Sequence, residues 1–247
     1  MNIRGKTILI TGAAERIGRA IALAIAKYGA TILIHYNRSH TAAQALKREI
    51  QSMGYEAECL QADFSRKNFA KILRVFLEDL GRFHRPVDIL INNASVFAPA
   101  PLETLSEKDW DSTLNINLKA PFLLAAELGK RMKARRSGKI INIVDSSLGR
   151  PPVRYLPYAV AKAGLHAATV GLARALAPYV QVNSIAPGPI LPVRGASAKQ
   201  NRLAAERTLL KKFGSPADIV AAVQFLVQGT DFVTGALIPV DGGSAVA

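Results

Sequence analysis

A tyrosine and a lysine four positions apart are the residues of this sequence best suited to catalysis. Tyr158 and Lys162 stand in the run Y-A-V-A-K, within a stretch whose apolar spacing predicts a helix that begins near Leu156. On a helix this spacing places the phenol and the ammonium on one face, one turn apart. A neighbouring positive charge makes a phenol easier to ionise, so we expect Lys162 to lower the pKa of Tyr158 and prepare it for proton transfer. The pattern alone also occurs on solvated helix faces, and the rest of the chain must decide its meaning.

A strand, a glycine turn and a helix open the chain. Residues 6–10 form a β-rich run, and the turn T-G-A-A-E-R-I-G follows at once, from Thr11 to Gly18. This order aims backbone N–H groups and a helix N-terminus at a pyrophosphate. A second strand over residues 31–34 completes a βαβ unit of the length that a dinucleotide half-site uses.

The alternation continues to the end of the chain. Further strands are predicted at residues 56–61, 87–91, 140–144, 180–185 and near 237–240. Helices are predicted at residues 41–53, 68–79, 107–114 and 120–134, from residue 156, and twice more before the last strand. This pattern predicts a doubly wound α/β fold of Rossmann type, in one domain over residues 1–247. The parallel sheet should have about seven strands, with helices on both faces.

The cofactor can be inferred from charge. A carboxylate beyond the glycine turn would bind the ribose hydroxyl of NAD, but no Asp or Glu lies between Arg16 and Arg48. Arg38 and Ser39, just after the second strand, are placed to pair with a 2′-phosphate. The sequence therefore predicts NADPH.

Composition narrows the function classes. The chain carries a net charge of +14, with dense basic stretches at residues 131–139 and 199–212, but aromatic residues do not interleave them as a base-stacking surface requires. We expect a basic surface that attracts phosphorylated cofactors and no nucleic-acid partner. The sequence shows no apolar run of membrane-spanning length and no signal-peptide core, so we expect a cytoplasmic protein without a membrane partner.

Cysteine and histidine give no sign of a metal site. Cys59 is the only cysteine, which excludes an internal disulfide, and its surroundings predict a buried structural thiol. Ligand spacing is absent around the four histidines, which are His35, His40, His84 and His166.

Six motifs in order resemble the short-chain dehydrogenase/reductase family, over nearly the whole chain. They are the glycine turn, Asn92-Asn93-Ala94-Ser95, Asn117 in N-L-K-A-P-F, Tyr158 with Lys162, Asn183 to Gly188 in V-N-S-I-A-P-G, and Val240-Asp241-Gly242-Gly243. Two positions depart from the common family pattern. Arg16 replaces a glycine of the turn, and Asp145 stands where most of the family has a serine. Both departures, with H-Y-N-R-S at 35–39 and N-A-S-V-F at 93–97, resemble pteridine reductases and dihydromonapterin reductases.

The resemblance implies a role for each motif. Asn117 would hold a relay water near Lys162, Phe97 would stack on a pterin opposite the nicotinamide, and Tyr155 would line the substrate site. The implied catalytic residues are Asn117, Asp145, Tyr158 and Lys162. The implied cofactor-binding residues are Gly12, Arg16, Ile17, Gly18, His35, Tyr36, Asn37, Arg38, Ser39, Asp63, Phe64, Asn93, Ala94, Ser95, Tyr158, Lys162, Pro187 and Gly188. The implied substrate-binding residues are Arg16, Ser95, Phe97, Asp145, Tyr155, Tyr158 and Pro189.

The expected reaction is hydride transfer from NADPH to a C=N bond of a pterin, either a dihydropteridine or dihydrofolate. A carboxyl group in an apolar pocket can stay protonated and act as an acid toward a nitrogen, and a carboxylate can anchor the pterin's amidine-like edge. Alternatively, Asp145 caps the next segment and Ser146 takes the usual serine role, in a reductase of 3-oxoacyl thioesters or sugar ketones. The resemblance further implies a homotetramer packed through the Tyr158 helix and the helix before it, and a substrate lid over residues 189–212.

Overall fold

The computed structural model describes residues 1–66, 68–83, 85–193, 195 and 197–247. Over this part of the chain, seven strands form one sheet in the order β3-β2-β1-β4-β5-β6-β7, and each neighbouring pair is parallel. The strands β1 to β7 are Thr7–Ile10, Thr31–Tyr36, Ala57–Gln61, Ile89–Asn92, Gly138–Ile143, Val180–Pro187 and Leu237–Val240. The helices α1 to α8 are Arg16–Ala26, His40–Ser52, Phe69–Gly81, Glu107–Leu114, Ala120–Ala134, Leu156–Leu176, Ala198–Glu206 and Pro216–Gln224. The predicted fold class is confirmed.

Helices cover both faces of the sheet, which explains why the strands read as continuous apolar runs. Successive residues of a strand face opposite sides, so Ile8 and Ile10 enter one core and Leu9 enters the other. The first core contains buried residues of α1, α2 and α8, and the second contains those of α3, α5 and α6. Burial on both faces therefore fixes the register of the central strands.

The order of the strands reverses between β1 and β4. From β1 the chain runs outward to β2 and β3, and then returns to the other side of β1 to build β4 to β7. Ligands of open α/β sheets bind in the crevice at such a switch point, beyond the carboxyl ends of the strands. The segments that follow β1, β4 and β5 meet there.

The strand bounds differ from the predicted ones mainly at the ends. β2 continues to Tyr36 and β6 to Pro187, beyond the predicted residues 34 and 185. Both extensions reach the edge of the sheet where ligands bind in this fold. They bring His35 and Tyr36 into the strand rather than into the loop after it.

Two expectations about single residues are wrong. Lys139, counted with a basic surface stretch, is 2 % exposed, and its Nζ donates to the carbonyls of Leu226 and Thr230 and pairs with Asp231 at 2.7 Å. Cys59 is half-buried rather than buried, and burial is the main cause that raises the pKa of its thiol. Both residues therefore serve the packing of the sheet.

In the described part of the chain, no helix is both long and apolar enough to cross a membrane. Within the same residues, no group of three or more His, Cys, Asp or Glu side chains could hold a metal ion. His84 lies outside the described residues.

Candidate active site

Tyr158, near the start of α6, is joined directly to Asp145. The phenol donates to Oδ2 of Asp145 at 2.8 Å. The other carboxylate oxygen, Oδ1, accepts from the backbone N–H and the hydroxyl of Ser147, at 2.8 and 2.6 Å. Asp145 thus caps the short 3₁₀ turn Ser146–Gly149 and holds the tyrosine at the same time. Both oxygens act as acceptors, which is the behaviour of a carboxylate.

The hydroxyl of Ser146 contacts a different residue. Its hydroxyl is 3.2 Å from that of Ser244 in the C-terminal segment, where Ser244 also donates to Asp241. Asp145 and not Ser146 therefore contacts the tyrosine in this structure.

The pKa of Tyr158 is raised, whereas the sequence predicted that it is lowered. Burial, and then the charge and hydrogen bond of Asp145, raise the pKa of Tyr158 well above its usual value. Lys162 was expected to lower it, but its Nζ donates to the carbonyl of Ile143 at 2.8 Å and lies 5.6 Å from the centroid of the tyrosine ring. Burial and the carboxylate together raise the pKa, so the phenol holds its proton.

Lys162 itself is buried, with 2 % of its surface exposed. Burial lowers its pKa to about 8, although the charge of Asp145 acts in the opposite direction. Lys162 therefore changes its charge state just above neutral pH, close to the tyrosine.

Asn117 is placed by a break in helix geometry. A π-helical turn, Asn115–Lys119, separates α4 from α5, and such turns are frequent at functional sites. The Asn117 amide donates to the carbonyls of Val96 and Thr113 at 3.0 Å, and its oxygen accepts from the Ser95 hydroxyl at 2.7 Å and from the Val96 N–H at 3.2 Å. The side chain is fully hydrogen-bonded and holds the loop after β4.

Three aromatic rings line the mouth of the site. Phe97 stacks on Tyr155 with centroids 4.0 Å apart and an interplanar angle of 4°, and it meets Tyr158 edge-on at 4.8 Å. A backbone bond from Ala100 to the carbonyl of Arg154 joins the two loops that carry the stacked pair. Tyr155 covers one face of Phe97, and the phenylalanine remains 41 % exposed.

The turn after β1 has almost no spare room. Gly12 has a φ of 61°, and a Cβ there would lie 2.8 Å from the Cα of Ala94. A Cβ on Gly18 would lie 2.4 Å from the Gly12 carbonyl oxygen. The Asn93 amide donates to the Gly12 carbonyl at 3.0 Å, so the turn and the loop after β4 form one unit.

Arg16, the residue that replaces a glycine, occupies the left-handed region with a φ of 53°. Its exposed guanidinium donates to the carbonyl of Pro192 at 2.9 Å. The turn is therefore tied to the segment that follows β6.

Three of the residues expected to bind the cofactor, at the far end of the crevice, have buried side chains. His35, Tyr36 and Phe64 are buried, with 2 %, 6 % and 4 % exposed, because the longer β2 turns the first two into the cores and His35 stacks on Phe64 at 4.7 Å. These side chains support the crevice from below. Asn37, Arg38 and Ser39 lie at its surface.

Asp63 holds the loop after β3, at the far end of the crevice, through several hydrogen bonds. Its carboxylate accepts from Asn37, from Ser65 and from Arg66, which is 3.2 Å away. Burial acts to raise the pKa of Asp63, but the bonds from Ser65 and Arg66 together lower it. Arg38 has no ion-pair partner among the residues that the structure describes, which leaves its charge available.

The segment after β6 begins and ends at one place. The Gly214 N–H donates to the Pro189 carbonyl at 2.9 Å, and Ile190 is buried in the first core. A Cβ on Gly188 would lie 2.7 Å from the Cα of Asp241, so this glycine allows the C-terminal segment to approach. The expected lid, residues 189–212, includes α7, but positions 194 and 196 lie outside the described residues.

A family model described as short chain dehydrogenase matches residues 6–202 of this sequence. The chain belongs to this family. It is therefore an oxidoreductase, and its seven-stranded sheet is the sheet of a short chain dehydrogenase.

Relatives of this dehydrogenase have several activities. It is 33% identical to the 5-keto-D-gluconate 5-reductase of Escherichia coli (strain K12), over 100% of this chain and 98% of that protein. It is 34% identical to a 3-oxoacyl-[acyl-carrier-protein] reductase of Synechocystis sp., over 98% and 97%. Among solved structures, FolM alternative dihydrofolate reductase 1 from Brucella canis, complexed with NADP, superposes with a TM-score of 0.91 at 30% identity, covering 100% of this chain and 96% of the other.

Several residues that shape this dehydrogenase's site were missed in the sequence. Thr11 accepts from the N–H groups of both Asn93 and Ala94 at 3.0 Å, and Ser147 donates to Asp145. A hydroxyl residue directly after a strand was the available signal for Thr11. The contact between Arg16 and Pro192 could not be predicted from the local sequence, because it joins distant parts of the chain.

Proposed function

We propose that this dehydrogenase is an NADPH-dependent reductase of a C=N bond in a dihydropteridine ring. The observation that carries the proposal is the 2.8 Å hydrogen bond from Tyr158 to Asp145, a carboxylate where most of the family has a serine. A hydroxyl suits the oxygen of a ketone, whereas a carboxylate suits the N–H groups of a pterin. The NADP-bound Brucella dihydrofolate reductase of the same fold supports this proposal.

Residues at several points of the crevice suit NADPH. The start of α1 would present backbone N–H groups to a pyrophosphate, with the Arg16 guanidinium beside them. Arg38 and Ser39 would hold the 2′-phosphate, since no carboxylate follows β2 before α2. Asp63 would hold the adenine end, and Asn93 and Ala94 would lie near its ribose.

When bound, NADPH would supply the hydride for the carbon of the C=N bond, and the ring nitrogen would gain a proton. A proton donor must be protonated before hydride transfer, and the raised pKa of Tyr158 keeps it so. The phenol turns from Asp145 to the ring nitrogen and gives up its proton. Lys162, charged near neutral pH, then stabilises the phenolate, and a water near Asn117 restores the proton.

The exposed ring of Phe97 would stack on the pterin. This ring is 41 % exposed, and Tyr155 holds it in place by stacking on one side. Asp145, released by the phenol, accepts N–H groups from the amidine-like edge of the pterin. Arg16, Ser95 and Pro189 complete the wall of the site.

A ketone reductase is the competing function. The identity to the 5-keto-D-gluconate reductase and to the 3-oxoacyl reductase favours it. In that reaction a serine would bind the carbonyl oxygen, but the Ser146 hydroxyl faces Ser244. The geometry therefore supports the pterin reaction better.

Steady-state assays of NADPH oxidation distinguish a pterin reductase from a ketone reductase. The purified enzyme is offered a 7,8-dihydropterin, dihydrofolate, 5-keto-D-gluconate and an acetoacetyl thioester, each at several concentrations. The proposal expects kcat/KM to be highest for a pterin by at least about tenfold, a difference of about 1.4 kcal/mol in transition-state binding. Turnover of the ketones alone would overturn it.

The enzyme assembles as a homotetramer in this proposal. Apolar side chains stand exposed on two adjacent helices: Phe122 of α5 at 40 %, and Val160 and Val170 of α6 at 46 % and 40 %. Such side chains on neighbouring elements favour a contact between copies. Light scattering on the purified enzyme measures the mass, and a monomer would contradict this assembly.

A further inference from the structure

His35 is a buried histidine beneath the cofactor crevice that takes no part in the proposed chemistry. It lies near the carboxyl end of β2 and is 2 % exposed. The N–H of Gly12 donates to its Nδ1 at 3.2 Å, and its Nε2 lies 3.2 Å from the carbonyl of Ala62. One ring thus joins the turn after β1 to the loop after β3.

These two contacts define a single state of the ring. Nδ1 accepts from a backbone N–H, so it carries no proton, and the proton of the neutral ring is on Nε2. The Nε2–H can then donate to the Ala62 carbonyl. Burial lowers the pKa of His35 to about 4, which agrees with a neutral ring at physiological pH.

The ring is also fixed by packing. It stacks on Phe64 at 4.7 Å with an interplanar angle of 23°, and Phe76 meets it edge-on at 5.4 Å. The main chain adds a further link, because the Ala13 N–H donates to the His35 carbonyl at 3.0 Å. The histidine therefore has little freedom to leave either partner.

The two joined segments serve opposite ends of a dinucleotide. Gly12 belongs to the turn that faces the phosphates, and Ala62 precedes Asp63 at the adenine end. A ligand that spans both ends needs them at a fixed separation, whereas a ligand of one end does not.

We propose that His35 is a positioning residue that sets the phosphate turn and the adenine loop at the separation that NADPH requires. It acts from beneath the crevice, without contact with the cofactor. The proposal rests on dinucleotide binding at this edge and is independent of the substrate, so it can fail while the pterin proposal stands, and the reverse.

Two substitutions of His35 each keep one of its contacts, with Gly12 or with Ala62, and remove the other. The amide oxygen of His35→Asn can take the place of Nδ1 and accept from Gly12, but the side chain is too short to reach Ala62. The longer His35→Gln can place an N–H near Nε2 and donate to Ala62, but it leaves the Gly12 N–H without its acceptor. His166→Gln is the matched control, because His166 is a half-buried histidine on α6 that contacts Ser184.

The dissociation constants of NADPH and of adenosine 2′-monophosphate are measured for each variant by fluorescence titration and calorimetry. NADPH spans both ends of the crevice, whereas the monophosphate occupies the adenine end alone. We expect both His35 variants to weaken NADPH about tenfold and the monophosphate less than about threefold, with the control unchanged.

Two results would overturn the proposal. Equal weakening of both ligands would mean a general loss of structure, and unchanged NADPH affinity in both variants would mean that the bridge has no role. Circular dichroism confirms folding, and a variant that fails to fold leaves the other to decide.

Discussion

The hydroxyl of Tyr158 and the carboxylate of Asp145 are 2.8 Å apart, with the tyrosine as donor. The carboxylate is held in turn by Ser147, so the pair is rigid on the side of β5. Burial and this bond keep the phenol protonated, and the carboxylate gives the site an acceptor for N–H groups.

Replacing Tyr158 by Phe removes the proton donor and leaves the ring in place. We expect kcat to fall by about 10² to 10⁴, with the dissociation constant of NADPH within about threefold of the original. Stopped-flow hydride transfer and fluorescence titration measure the two quantities. Tyr55→Phe removes a remote hydroxyl, which donates to the Lys27 carbonyl, and should change neither. Retained turnover in Tyr158→Phe would exclude the tyrosine as the donor.

The charge state of Lys162 should make kcat/KM decline at alkaline pH. Its pKa, lowered to about 8 by burial, means that it is charged below this pH and neutral above it. Loss of the charge removes the stabilisation of the phenolate, so kcat/KM should be level below pH 8 and decline above it. The measurement is a pH profile of kcat/KM from pH 6 to 10 in buffers of constant ionic strength. A level profile to pH 9.5 would contradict this role.

Arg38 should decide between the two nicotinamide cofactors. Arg38→Ala removes the guanidinium expected at the 2′-phosphate, so the KM for NADPH should rise about 10- to 100-fold while that for NADH changes little. Arg74→Ala provides the control, because Arg74 is an exposed arginine of α3 that pairs with Glu78. An equal effect on both cofactors would place the 2′-phosphate elsewhere.

His35 should make the protein less stable in acid. Its pKa is about 4 in the folded state and about 6.5 when unfolded, so the unfolded chain binds more protons between these values. Stability from this group is fully present above pH 6.5 and is lost as the pH falls toward 4. Between pH 7 and pH 5 the loss amounts to about 2 kcal/mol.

Urea unfolding at both pH values measures the loss. His35→Gln lacks the titrating group, so its free energy of unfolding should change by about 2 kcal/mol less than that of the original chain. Other groups cancel in this difference. Identical pH dependence of the two proteins would contradict the assignment.

Periodicity made the fold predictable from the sequence. Strands buried on both faces read as apolar runs, and glycines at positions 12 and 18 mark a turn with no room for a side chain. The order of strands and turns then placed Asp145 and Tyr158 at the same edge of the sheet. These features depend on local pattern, which a sequence displays directly.

Other features depend on distances that a sequence does not display. The pKa of Tyr158 rises because the phenol is buried and bonded to Asp145, which spacing along the chain cannot show. Lys139 looked like a surface charge, but it reaches carbonyls at the end of a distant helix. His35 faces inward because β2 is longer than predicted, and the alternation of faces along a strand would have shown this had the end of β2 been known.

The most direct test of the central claim replaces Asp145 by the serine that most of the family carries. kcat/KM for a 7,8-dihydropterin is compared with that for 5-keto-D-gluconate in the original enzyme, in Asp145→Ser and in the control Ser146→Ala. We expect the dihydropterin to be the better substrate of the original enzyme, and Asp145→Ser to lower its kcat/KM about 100-fold, while Ser146→Ala has little effect. A dihydropterin reaction that survives in Asp145→Ser but is lost in Ser146→Ala would contradict the account.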